Sequence, residues 1–231
     1  MTLTGSNRTD GETGPNSSPL YGNPSLDALT ERALHLARDG RALLGIVGEP
    51  GAGKSTFAEQ LLARLEKEQP GLAVAVSMDG FHLAHKVIEA RGQSARKGTI
   101  DTFDADGFLA LLRRTREETT NTVWWPEFDR DLEDAVAGAI EVAPRHRLVV
   151  VDGNFLLATQ DPWLRIKNLL DESWFLDALP EPRRDRLIRR YISYGFTPEA
   201  AREKTLGVDE ETSSLIRGTV PRADLVLGEL G

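Results

Sequence analysis

Eight residues constrain this chain more than any others. Gly48-Glu49-Pro50-Gly51-Ala52-Gly53-Lys54-Ser55 satisfies G-x-x-x-x-G-K-[ST] in full. An apolar run, residues 42–47, precedes the pattern, and Phe57, Leu61, Leu62 and Leu65 follow it at helical spacing. A buried strand entering a glycine-rich turn that opens a helix points successive backbone N–H groups and the helix's positive dipole end at one spot, which suits phosphate oxygens. Nucleotide binding is therefore expected from Gly48, Glu49, Pro50, Gly51, Ala52, Gly53, Lys54, Ser55 and Thr56. Lys54 should reach the β- and γ-phosphates, Ser55 should ligate Mg²⁺, and Thr56 is placed to touch the α-phosphate.

That unit predicts an α/β fold, and the remainder of the chain agrees. Residues 72–76, 148–151, 173–176 and 225–227 are further short apolar runs, and helical patterns separate them. Residues 104–118 read as a helix with Phe108, Leu111 and Leu112 inward, and a helix starts near Ser25. The expectation is a P-loop NTPase fold: a doubly wound, mostly parallel five-stranded sheet, helices on both faces, and a helical arginine-rich lid at about residues 181–206. Residues 1–23, rich in Gly, Ser, Thr, Asn and Pro, read as a disordered tail, leaving 24–231 as one domain.

Composition narrows the partners. A formal charge of -8 argues against nucleic acid. The absence of cysteine removes disulfides, thiolate nucleophiles and Cys-bound zinc, and suits a reducing cytosol. No apolar run approaches the ~18–20 residues that span a bilayer, and the N-terminus lacks a signal-peptide pattern. The expectation is a cytoplasmic protein with no membrane partner.

What happens to the nucleotide depends on other residues. No Asn-Lys pair exists for guanine reading, and no LSGGQ-like signature is present. A kinase needs an acidic group near the γ-phosphate. Asp79 follows the second apolar run and could accept a proton there, although Asp-Gly is equally a turn dipeptide. Asp152 ends the 148–151 run where a Mg²⁺-holding acid belongs. Arg183, Arg184, Arg186, Arg189 and Arg190 crowd one helix. Leu187, Tyr191 and Tyr194 form its apolar stripe, while Arg183, Arg186 and Arg190 share another face. One or two of these arginines are expected to act on phosphate.

Taken together, residues 48–56, Ser77-Met78-Asp79-Gly80-Phe81-His82, Arg96-Lys97-Gly98, Thr102-Phe103-Asp104, Trp125-Pro126-Glu127-Phe128-Asp129-Arg130 and Val150-Val151-Asp152-Gly153-Asn154 resemble the uridine kinase, phosphoribulokinase and bacterial pantothenate kinase superfamily. Within it the chain is most like the nucleoside/nucleotide kinase branch that includes the fructose-transport-system kinase-like proteins. The resemblance covers about residues 41–227. It implies ATP and Mg²⁺ as cofactors, Asp79 as general base with Lys54 beside it, and Ser55 and Asp152 at the metal. It also implies lid arginines Arg186 and Arg190 over ATP, and a small-molecule hydroxyl acceptor held by His82, Arg96, Asp104, Phe128, Asp129 and Arg130. Homodimers occur among such relatives. Pantothenate kinase-like and uridine kinase-like activities, and a non-catalytic nucleotide-sensing module, are the alternatives. An already phosphorylated acceptor would need a basic site, for which Arg91, Arg96, Lys97 and Arg130 are the candidates.

Overall fold

The central strands of this chain are hydrophobic on both faces because helices cover both sides of the sheet they build. A computed structural model of the chain describes residues 18–228, so residues 1–17 of the expected tail lie outside the described residues. The strands are β1 (Leu20–Gly22), β2 (Ala42–Gly48), β3 (Ala73–Ser77), β6 (Leu148–Asp152), β7 (Glu172–Leu176) and β8 (Leu225–Leu227). They form one parallel sheet in the order β1-β8-β7-β2-β6-β3. Every residue of β2, β6 and β7 is buried, as a strand flanked by two helical layers requires.

One layer contains α1 (Leu26–Leu36) and α2 (Lys54–Glu68). Leu29, Phe57, Leu61 and Leu65 pack there against Leu44, Ile46 and Trp174 of the sheet. The other is built on α4 (Ala105–Glu117), whose Phe108 and Leu112 join Trp125, Phe155 and Trp163. Each such fully buried side chain contributes about 1.5–3 kcal/mol.

Two expectations need correcting. The sheet has six strands, because Leu20–Gly22, assigned to the tail, pairs with β8 in parallel register. A three-residue strand with exposed side chains leaves no hydrophobic period to read. Outside the main sheet, β4 (Val123–Asp129) and β5 (Asp134–Val142) form an antiparallel hairpin. Four further α-helices lie in the described chain: α3 (His85–Ala90) before α4, then α5 (Pro180–Ser193), α6 (Pro198–Leu206) and α7 (Val208–Arg217) between β7 and β8. No helix of the described residues is long and apolar enough to cross a membrane.

Candidate active site

Register brings the chemistry to one edge. In the sheet Ile46 of β2 and Ser77 of β3 both lie beside Asp152, the last residue of β6. The phosphate loop, Asp79 and Asp152 therefore leave the sheet together at its carboxyl edge, where parallel sheets bind ligands. Gly53 caps α2 without a side-chain acceptor, so no side chain of the cap competes for the N–H groups of the first turn. Lys54 Nζ donates to the Glu49 carbonyl at 3.1 Å. Ser55 Oγ donates to Asp152 Oδ2 at 2.7 Å. Burial lowers the Lys54 ammonium, opposed by Asp152 and Asp79. Burial likewise raises the Asp152 carboxyl, opposed by Lys54.

Asp79 sits in a 3₁₀ turn, Met78–Phe81, that Ser77 caps by accepting from the Asp79 N–H at 3.1 Å. The next residue must be glycine, since a Cβ on Gly80 would lie 2.4 Å from the Pro126 carbonyl oxygen of β4. This close approach lays the hairpin across the turn. Arg130, at the end of β4, donates from Nη2 to Asp79 Oδ2 at 3.2 Å. His82 donates from Nδ1–H to the Asp79 carbonyl at 2.8 Å and packs its ring against Phe103 and Phe128, with centroids 4.0 and 4.9 Å away. Burial lowers the His82 imidazole, which favours the neutral ring.

These groups share a cavity of about 1120 Å³. Lys54, Ser55, Asp79 and Asp152 form its floor, and His82, Phe103, Phe128 and Arg130 one wall. Arg190 and Tyr191 of α5 close the other wall, together with Lys204 of α6 and Asp209 of α7.

Not every expected residue arrives there. Asp104 is exposed and caps α4, accepting from the Gly107 N–H at 2.9 Å. Asp129 turns inward on its own loop, accepting from the N–H groups of Asp131 and Leu132. Arg96 points away from the cavity lining and lies 3.6 Å from Glu211. Arg186 is exposed and off the cavity, whereas Arg190 lines it. In each case the backbone segment is close to the site, but a local partner takes the side chain or the helix turns it aside.

Arg183 departs furthest from expectation. It is 0 % exposed and shares the buried stripe of Leu187 and Tyr191 instead of a polar face with Arg186 and Arg190. Its Nη1 donates to the Pro50 carbonyl at 3.2 Å, and its Nε lies 3.0 Å from Glu49 Oε2. Glu49 is thus a buried anchor whose carboxylate faces Arg183 and Arg217. Sequence reading named Lys97 only as a candidate for a phosphorylated acceptor and did not single out Lys204 or Asp209. Lys97 stood inside a quoted triplet, while Lys204 and Asp209 carry no local signal, since only tertiary packing brings α6 and α7 to the cavity.

Comparison with known proteins agrees with this geometry. The model of the phosphoribulokinase / uridine kinase family matches residues 43–231. A Schizosaccharomyces pombe protein provisionally named a uridine kinase is 32% identical over 215 residues, covering 89% of this chain and 91% of its own. The Escherichia coli protein YggC is 34% identical over 164 residues, 70% of this chain and 66% of its own. Among solved structures, a Silicibacter protein provisionally named a fructose transport system kinase superposes with a TM-score of 0.80 at 35% identity, covering 88% of this chain and 99% of its own. Phosphate loop, carboxyl-edge acids and relatives converge on one conclusion: the chain is a P-loop kinase belonging to the phosphoribulokinase / uridine kinase family.

Proposed function

We propose that the chain transfers the γ-phosphate of ATP to a hydroxyl of a small, unphosphorylated metabolite such as a sugar or nucleoside, with Asp79 as general base. The observation that carries this reading is the position of Asp79. It lies on the cavity floor beside Lys54, Ser55 and Asp152 and faces the wall of His82, Phe103 and Phe128. A hydroxyl resting on that wall has a carboxylate beside it and the phosphate loop in front of it. Asp79 takes the hydroxyl proton as the oxygen attacks, and Arg130 holds the carboxylate in place until then. Lys54 and Arg190 line the same cavity, and their fixed positive charge together with positioning supplies most of the acceleration.

The residues present fit a metal ion of the expected kind. The described residues contain no group of three or more acidic or histidine ligands. The Ser55 hydroxyl and Asp152 carboxylate, already in contact, leave most of the coordination sphere to phosphate oxygens and water. Bound there, Mg²⁺ would offset the negative charge of the β- and γ-phosphates.

Charge pairing supports an acceptor without its own phosphate. Lys97 is 3.0 Å from Glu133, and Arg130 is spent on Asp79. Arg96 pairs with Glu211 off the cavity lining, and Arg91 is exposed and off it as well. Glu89, Asp134, Glu203 and Asp209 add further acids to the same lining. Of the four basic residues expected for a phosphorylated acceptor, two are paired with acids and two lie off the lining, and the acids of the lining repel a dianionic group. The aromatic wall instead offers an apolar face to a ring, as sugars and nucleosides present.

The test is ADP release with Mg·ATP against free sugars, nucleosides and pantothenate, each beside its phosphorylated counterpart. An unphosphorylated compound should raise the rate well above the acceptor-free level, and Asp79→Asn should lower that rate by about 10²–10⁴ while ATP still binds. A panel led by phosphorylated compounds would refute the acceptor class. Near-normal turnover by Asp79→Asn would refute the base.

A further inference from the structure

Behind the phosphate loop lies a cluster of charges that the proposed chemistry does not use. Glu49, 3 % exposed, faces Arg183 Nε at 3.0 Å and Arg217 Nη1 at 2.7 Å. Glu210 of α7 receives Arg183 Nη2 at 2.6 Å and Arg184 Nε at 3.1 Å on one oxygen, and Arg217 Nη2 at 3.0 Å on the other. The hydrogen bonds from Arg184, Arg217 and Arg183 hold the Glu210 carboxyl down at about 2. Arg183 thus reaches Glu49, the Pro50 carbonyl and Glu210 at once from a fully buried position.

The neighbours of Glu210 face the other way. Val208 and Asp209 line the cavity. Glu211 lies 3.6 Å from Arg96, and Lys204 Nζ donates to the Lys97 carbonyl at 3.3 Å. The first turn of α7 is therefore held to the phosphate loop on one side and stands against the 96–98 segment on the other.

We infer that Glu210 is a positioning residue that couples the phosphate loop to the acceptor wall. By gripping Arg183 and Arg217 it ties the first turn of α7 to Glu49 and Pro50. Nucleotide that orders the loop then also orders Val208, Asp209 and, through Lys204, the 96–98 segment. Exposed ion pairs taken singly are worth little. This clamp differs because its central guanidinium is buried and shared between two carboxylates, so removing one partner changes the whole arrangement. The coupling acts through order, and backbone hydrogen exchange reports it directly.

The inference rests on nucleotide occupying the loop and is independent of the acceptor. The experiment compares amide exchange of the full chain with and without Mg·AMP-PNP. In the native chain, nucleotide should slow exchange in both 48–56 and 94–99, the latter about fivefold or more. In Glu210→Gln the loop should still be slowed while the effect at 94–99 falls below about twofold. Arg217→Gln breaks the clamp through a side chain that is 40% exposed, and should give the same loss if Glu210→Gln folds poorly. Ser214→Ala, exposed on the same helix, should keep the slowing. Equal slowing at 94–99 in the native chain and Glu210→Gln overturns the inference, as does its loss in Ser214→Ala. Slowing of the loop with none at 94–99 in the native chain also overturns it. Absence of any slowing at 48–56 overturns the nucleotide reading together with it.

Discussion

Replacing Gly51 by alanine tests whether α5 is seated on the phosphate loop. Gly51 has φ +77°, a region L-residues rarely adopt. A Cβ there would lie 2.8 Å from Leu187 Cγ and 2.9 Å from the Arg183 carbonyl oxygen. The left-handed backbone costs about 1–2 kcal/mol for a residue with a Cβ, and overpacking adds about 1–3 kcal/mol, giving about 2–5 kcal/mol together. For a domain of this size that is a fall in Tm of about 4–20 °C. Leu187 can yield by rotating, but the Arg183 carbonyl belongs to the helix backbone, so either α5 or the loop must shift. Nucleotide affinity should drop along with stability. Scanning calorimetry gives the first quantity and titration with Mg·AMP-PNP the second. A Tm within about 2 °C of the native value with unchanged affinity would mean that α5 does not press on the loop, and the seating argument would fall.

Other consequences can be checked independently. Arg130→Ala removes an exposed partner of Asp79 and should leave Tm within about 2 °C. It should nevertheless lower acceptor-dependent kcat/KM by about 10–100-fold, measured as coupled ADP release. Trp125→Phe deletes the Nε1–H bond to Thr115 Oγ1 (2.8 Å in the buried core), and urea denaturation should show a loss of about 2–4 kcal/mol. His82 carries a folded pKa lowered by burial from 6.5. Below pH 6.5 the unfolded chain takes up a proton that the folded chain resists, so this residue makes stability fall on acidification from that point and rise on the return. His82→Gln should flatten that part of the stability–pH curve; an unchanged slope would contradict the assignment.

The parts of the fold legible in the sequence were those with a strong local period or a fixed spacing. β2 is a continuous apolar run, and the glycine spacing after it has one physical use, so loop, strand and helix were readable together. Asp152 was readable because β6 leads into it. The β4–β5 hairpin was not. Val123 and Trp125 do alternate with exposed Trp124, but the connection is Arg130-Asp131-Leu132-Glu133, with Glu133 itself at φ 52°. Glutamate in that conformation is no turn signal. Arg183 was misplaced for a different reason: composition marks arginine as a surface residue, and only the two carboxylates brought in from residues 49 and 210 make its burial tolerable. Asp104 and Asp129 adjoin Phe103, Phe128 and Arg130 of the cavity lining, but their own side chains serve local backbone turns, a competition that spacing alone cannot resolve.

The pairing of Leu20–Gly22 with Leu225–Leu227 bears on how the protein should be handled. Asn23 Oδ1 also accepts from the Gly228 N–H at 2.9 Å, fastening the same corner. Anyone trimming the polar leader to improve crystals would be tempted to cut at Ser25, where the first helix is capped. That cut would strip the outer strand and leave the backbone of 225–227 open to pairing with another molecule, an invitation to self-association. Cutting no later than residue 18 keeps the seam closed.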